Sequence, residues 1–220
     1  MTLNIAEQKR LLRKEVLAVR DALPEKVRTD KSAEICNKVD DQLVAFFTDG
    51  VASSFMACAG GRDKLTHAPL IALFYPLGSE VDLRPLMKEC YLRGWDLALP
   101  VMFKDAVEGH RMVFVRVTFD VIQAGQEEFL AKPAKNLNEG DFNFGAFPQV
   151  NLLEIDAMII PLVAFDLGGG RLGYGGGNYD RCLPALRGDC WLAGVAFQEQ
   201  QVARVPRDEY DWAIPRVISA

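Results

Sequence analysis

Apolar residues recur at helical spacing near the start of the chain, at Ile5, Leu12, Val16, Val19 and Leu23, as they do on one buried helix face. Asn4 followed three residues later by Glu7 has the form of a capping box, and Pro24 closes the run, so a first helix is expected to about Leu23. At about 100° per residue, Lys9, Arg13 and Arg20 fall within roughly 40° of one another. That stripe flanks the apolar face instead of opposing it, a placement from which basic side chains can point into a cleft.

Pro24 and Glu25 suit the first turn of a second helix, with Val27, Ile35, Val39, Leu43 and Phe46 on its apolar face and Asp49-Gly50 at its end. The period then changes. Val51–Ala57 and Leu70–Leu77 are short apolar runs of the kind that form buried strands, with a polar loop over residues 60–69 between them. Asp82 can cap a helix over residues 83–93, Gly94 ends it, and Leu97–Val101 follows as a strand, which makes one β-α-β unit. Further strands are expected at 112–118, 157–165, 192–197 and 217–219, with a helix over 179–186. The alternation predicts an α/β layered fold, a single domain over residues 1–220, with a mainly parallel central sheet flanked by helices. Ligands of such sheets sit at the carboxyl ends of the strands.

Composition narrows the function classes. The chain is 50% apolar with 25 basic and 30 acidic residues, enough to bury roughly 70% of its unfolded surface in one core. No long run of either charge is present, so the electrostatic footprint of a nucleic-acid or anionic-membrane binder is missing. No apolar run approaches the ~20 residues of a membrane span, and the opening segment is charged and amphipathic, so a cytoplasmic protein is expected. Cys36, Cys58, Cys90, Cys182 and Cys190 are scattered and never form CxxC, which reads as reduced thiols without a zinc site. With only His67 and His110, a transition-metal centre or a Ser/His/Asp triad has little support.

The candidate chemistry lies in Asp166–Arg181, DLGGGRLGYGGGNYDR, where residues 166–177 include seven glycines between an expected strand and an expected helix. Glycines permit positive φ and close backbone approach, so successive N–H groups can converge on phosphate oxygens, and Arg171 adds a planar fork of donors. No GK[ST] follows the glycines, and Asn178 stands where GxGxxG needs its third glycine. The loop also falls too late in the chain to open a full dinucleotide-binding unit. On its own it defines an anion cradle whose ligand stays open.

Taken with the preceding IIPLVAFD, the loop resembles the signature of the 5-formyltetrahydrofolate cyclo-ligase family. Three further segments follow the family pattern in order: Lys9–Arg13 (KRLLR) for its KxxLR, Tyr75–Asp82 (YPLGSEVD) for its YxPxxxEVD, and Val205-Pro206 followed by Asp211. The resemblance implies an ATP-dependent ligase that converts 5-formyltetrahydrofolate to 5,10-methenyltetrahydrofolate, with Mg2+ accompanying ATP and no obligate protein partner.

By the same resemblance, Lys9, Arg10, Leu11, Leu12 and Arg13 would bind ATP. So would Arg171, Leu172, Gly173, Tyr174, Gly175, Gly176, Gly177, Asn178 and Tyr179. Arg171 and Lys9 would act in catalysis, Arg171 on the transferring γ-phosphoryl group. Tyr75, Glu80 and the stretch Tyr174, Gly175, Gly176, Gly177, Asn178 would bind the folate, with Glu80 receiving the pterin N–H donors. Asp180 and Asp211 would hold the magnesium ion. Asn178 departs from the pattern, which has an aromatic residue there. It is also the single hint toward the other reading, a noncatalytic relative that binds nucleotide or folate. Residues 53–69 fit the family pattern poorly, and Arg20 shares the stripe of Lys9 without belonging to a motif.

Overall fold

The computed structural model describes residues 4–48, 67–107 and 109–220. The strand expected at Val51–Ala57, the turn at Asp49-Gly50 and Cys58 lie outside the described residues. Helix α1 (Ile5–Asp21) starts at Asn4, whose side chain accepts a hydrogen bond from the Glu7 N–H at 2.9 Å, the capping geometry expected. Helix α2 (Glu25–Thr48) follows after Pro24.

The main sheet contains β1 (Leu70–Ala72), β2 (Asp96–Asp105), β3 (Gly109–Val117), β4 (Gln149–Val150), β5 (Ala157–Pro161), β8 (Trp191–Ala196) and β9 (Val217–Ser219). Its spatial order is β4-β3-β2-β1-β5-β8-β9. The β1/β2, β1/β5, β5/β8 and β8/β9 pairings are parallel, while β2/β3 and β3/β4 are antiparallel. The mainly parallel α/β layering read from the sequence is therefore present, with an antiparallel edge. Helix α3 (Arg84–Leu92) joins β1 to β2; its N-cap is Leu83, with no side-chain cap bond, in place of the expected Asp82, whose Oδ1 accepts the Arg84 N–H at 3.0 Å in a local side-chain turn before the helix.

Alternate strand residues feed two apolar layers. Ile71, Leu97, Leu99, Ile159 and Val195 pack with Ile35, Val39 and Leu43 of α2 and with Leu86 and Met87 of α3. Leu70, Ala72, Met158 and Ile160 pack on the opposite face with Cys182, Leu183 and Ile214. Burial of β1 and β5 on both faces explains why their sequences are continuously apolar. Cys36, Cys90 and Cys182 are free thiols in these layers, and burial pushes each up to about 12. Among the described residues no helix is long and apolar enough to cross a membrane.

Three expectations are corrected and two short helices are added. The strand expected over 157–165 ends at Pro161, because Gln200 Nε2 donates to the carbonyls of Leu162 (2.6 Å) and Val163 (3.0 Å) and takes them out of the ladder. Residues 164–172 instead form a separate antiparallel ribbon, β6 (Ala164–Phe165) with β7 (Arg171–Leu172). The strand expected over 70–77 stops at Ala72, ahead of Pro76, which has no N–H to give a ladder. Short helices α4 (Phe119–Ala124) and α5 (Glu128–Ala131) were not signalled. The α1 face is also narrower than its periodicity suggests: Val16, with Leu12 alongside, packs on Ala164, Leu172 and Val205 of the ribbon side. Ile5 and Val19 remain 41% and 45% exposed, since a ribbon of two-residue strands covers only the middle of the helix. That seat on the ribbon, away from the main sheet, carries the basic stripe of α1 to the glycine loop.

Candidate active site

The glycine-rich segment divides into two parts with different jobs. Its first five residues form a self-bonded turn between β6 and β7: the Asp166 carboxylate accepts the N–H groups of Gly168 (2.9 Å), Gly170 (2.9 Å) and, from across the chain, Val205 (2.8 Å). A β-carbon on Gly170 would lie 2.4 Å from Asp166 Oδ2, so that glycine makes room for the carboxylate. The expected strand-loop-helix cradle is thus a ribbon turn followed by a shorter cradle, residues 173–177. The helix after it is corrected as well: α6 (Asn178–Cys182) has five residues, and a 3-10 turn at Leu183–Ala185 replaces its continuation where Pro184 removes a donor. So short a helix adds little macrodipole to the site.

Burial alone would raise Asp166, but the backbone donors of Val205, Gly170 and Gly168 outweigh it and hold its carboxyl below the usual range. A depressed carboxyl contributes stability above its unfolded pKa and loses it as pH falls through the folded one. Asp166→Ala is therefore expected to lower stability by about 2 kcal/mol at pH 7. The difference from wild type should shrink in urea melts taken below about pH 4.

Helix α1 supplies one wall. Lys9 is buried, 8% exposed, with its ammonium 2.7 Å from Asp208 and 2.5 Å from Asp211. Burial by itself would depress the Lys9 ammonium, but its hydrogen bonds to both aspartates more than offset this and raise it above the ordinary lysine value. One turn on, Arg13 Nε donates to the Gly173 carbonyl at 2.7 Å, and the guanidinium carbon lies 3.3 Å from where a β-carbon on Gly175 would stand. Gly175 has φ +100, so both its conformation and this contact require glycine. Arg10 and Leu11 face outward and Leu172 is buried against α1. Of KRLLR, then, only Lys9 and Arg13 reach the cleft.

Arg171 is 6% exposed and donates through Nη2 to Asp180 Oδ1 at 2.5 Å, while its Nε–H is buried without a partner among the described residues. Asp180 Oδ1 also accepts the Trp212 N–H at 3.3 Å, which ties α6 to the segment carrying Asp211. Asp211 Oδ2 accepts both Lys9 and the Asp208 N–H at 2.7 Å. Each of these two carboxylates thus spends one oxygen on the protein, and the other oxygen has no hydrogen bond among the described residues.

At the other end of the cleft Glu80 Oε2 accepts the Leu77 N–H at 2.8 Å. Burial raises the Glu80 carboxyl above its usual range, opposed by hydrogen bonds from Leu77 and Tyr174 and by the charge of Arg20. Arg20 Nη1 donates to the Tyr174 hydroxyl at 2.9 Å. Tyr179 packs beside the second apolar layer, where burial pushes its phenol well above the normal value within the fields of Glu80 and Arg171.

Two sequence candidates point elsewhere. Tyr75 packs against the first apolar layer with its hydroxyl 3.5 Å from where a β-carbon on Gly125 would stand, and it interacts with Arg84. Asn178 turns to the β2/β3 hairpin, with Nδ2 3.7 Å from Met102 Sδ and Oδ1 accepting Arg181 at 2.8 Å. His110 Nε2 lies 3.3 Å from the Gly176 carbonyl. The hairpin was not expected, so neither His110 nor Met102 could be placed beside the loop from sequence. Asp208 was also missed, although its spacing from Asp211, three residues, was a usable signal.

A mixed sheet, a glycine cradle and a cleft in which buried cations face carboxylates define a ligand-binding α/β enzyme. The family is shown by comparison: the chain belongs to the 5-formyltetrahydrofolate cyclo-ligase family, whose sequence pattern matches residues 5–220. It is therefore a ligase. It is 30% identical over 146 residues to the 5-formyltetrahydrofolate cyclo-ligase of Haemophilus influenzae, covering 66% of this chain and 72% of that protein. The mouse enzyme of the same name is 27% identical over 166 residues, 71% of this chain and 76% of the relative. The NMR structure of 5,10-methenyltetrahydrofolate synthetase from Aquifex aeolicus superposes with a TM-score of 0.62 at 30% identity, covering 96% and 89% of the two chains. The synthetase from Mycoplasma pneumoniae, at 22% identity, shares the fold with a TM-score of 0.65 over 96% and 97%.

Proposed function

We propose that this ligase uses MgATP to close 5-formyltetrahydrofolate to 5,10-methenyltetrahydrofolate, releasing ADP and phosphate. The observation that carries the nucleotide half of the reading is Arg171: a buried guanidinium N–H without a partner is costly unless a ligand completes it. Lys9 and Arg13 stand on the facing wall, and an oxyanion is the ligand that all three cations suit. The folate half rests on Glu80, a buried carboxylate suited to two N–H donors of a pterin.

The chemistry explains why a triphosphate is needed. A formyl carbon on N5 is an amide, and N10 cannot expel its oxygen. Transfer of the γ-phosphoryl group to the formyl oxygen breaks the bond to ADP and forms an N5-iminium phosphate. Attack by N10 then forms the second C–N bond, the N10 proton is lost to solvent, and phosphate departs with the oxygen. Arg171 and Lys9 stabilise charge on the moving phosphoryl group, and the backbone of 173–177 orients the chain of phosphates. No protein nucleophile is required.

The donor set fits magnesium. Asp180 and Asp211 each offer one oxygen without a hydrogen bond among the described residues, and these hard carboxylate oxygens are the donors that would hold Mg2+ beside the phosphates. When bound, the ion would neutralise phosphate charge. The test is spectroscopic: purified protein with 5-formyltetrahydrofolate, Mg2+ and ATP should generate the methenyl chromophore with one ADP per product. Folded protein that produces no chromophore with ATP present contradicts the proposal.

A further inference from the structure

We infer that Arg20, which stands outside every recognised motif, is a positioning residue that holds the Glu80 carboxylate and Tyr174 in register to receive the folate. The inference rests on the reading of Glu80 given above. Arg20 is 4% exposed, although it is the last basic residue of an otherwise surface-ended helix. Its Nε donates to Ser79 Oγ at 2.9 Å, immediately before Glu80, and its Nη1 donates to the Tyr174 hydroxyl at 2.9 Å. The guanidinium also sits 5.8 Å from the Tyr174 ring centroid. Tyr174 lies close enough to the Glu80 carboxylate for each to shift the other's ionisation, and Ser79 Oγ donates to the Asp21 carboxylate, whose Oδ1 is also 3.7 Å from Arg20 Nε.

One cation therefore ties together three segments distant in sequence: α1, the 77–80 turn and the glycine loop. Two divergent bonds from a single planar group need arginine; a lysine supplies the charge but not the fork. The charge matters independently of the clamp. Glu80 must be ionised to accept two N–H donors, and its burial already works against ionisation. The positive field of Arg20 opposes that burial.

A clamp with no role toward substrate would loosen the folate and ATP ends together. A positioning residue acts on one end and on one ionisation. In the full-length enzyme, Arg20→Gln is expected to raise KM for 5-formyltetrahydrofolate about tenfold while KM for ATP stays within about twofold. With the guanidinium gone the Glu80 carboxyl titrates at higher pH, so the acid limb of folate kcat/KM should move to higher pH. Arg20→Lys should restore the acid limb but not KM, and it serves as the test if Arg20→Gln does not fold. In a Glu80→Gln background the effect of Arg20→Gln on the acid limb should vanish.

Equal rises in both KM values with an unmoved acid limb would overturn the inference, as would a Lys variant that behaves like Gln in its pH profile. The function reading fails separately and visibly, through absence of turnover in the wild-type enzyme.

Discussion

Arg171→Ala is expected to reduce kcat/KM for ATP by about a thousandfold or more, the scale on which a charge aimed at a transferring phosphoryl group contributes. The loss should fall mainly on kcat, since Lys9, Arg13 and the backbone of 173–177 would still hold the phosphates in the ground state. Arg171→Lys should recover only a small part of the rate, because a single ammonium cannot serve both Asp180 and the position that the unpartnered Nε faces. Single-turnover measurement of methenyl formation separates this loss from a change in product release. An Arg171→Ala enzyme within tenfold of wild type would remove this residue from the chemistry.

The second large effect is expected at Lys9. Its ammonium lies between Asp208 and Asp211, 2.7 Å and 2.5 Å away, so Lys9→Ala leaves two carboxylates facing the place proposed for the phosphates. Both the lost attraction and the new repulsion act against ATP, and a fall of about a hundredfold in kcat/KM is expected, with a clear rise in KM for ATP. The fold should survive. The Asp208 and Asp211 side chains are 37% and 19% exposed, so water can solvate the first fully and the second in part, and a stability loss of about 1–3 kcal/mol is expected, short of unfolding the chain. A raised KM in a variant that still melts cooperatively is the outcome that distinguishes a ligand-facing lysine from a structural one. Unchanged KM for ATP in the folded variant would contradict the assignment.

Much of the frame was legible in the residues because the signals are local. Asn4 acts as a cap, Gly94 adopts φ +74 after α3, and the apolar runs at 97–101 and 217–219 are strands. The basic stripe of α1 was visible in its angular spacing, and Lys9 and Arg20 are indeed buried.

What could not be read depended on partners far along the chain. Gln200 strips Leu162 and Val163 from the sheet across almost 40 positions, and no pattern within 157–165 announces it. The same holds for Asp166, whose third donor is Val205. Without that break the glycines look like one loop; with it, the first three serve a ribbon turn and the last four form the cradle. The direction of Tyr75 and of Asn178 is likewise set by neighbours, Gly125 and Met102, that the motifs do not contain.

The central claim is that ATP is spent on the formyl oxygen. The most direct measurement uses 5-formyltetrahydrofolate carrying 18O in its formyl group, converted by the wild-type enzyme with unlabelled MgATP, with the released phosphate analysed by mass spectrometry. Transfer of the label into inorganic phosphate, one atom for each methenyl product, is the predicted result. Unlabelled phosphate alongside full conversion would show that the oxygen leaves by another route and would contradict the mechanism.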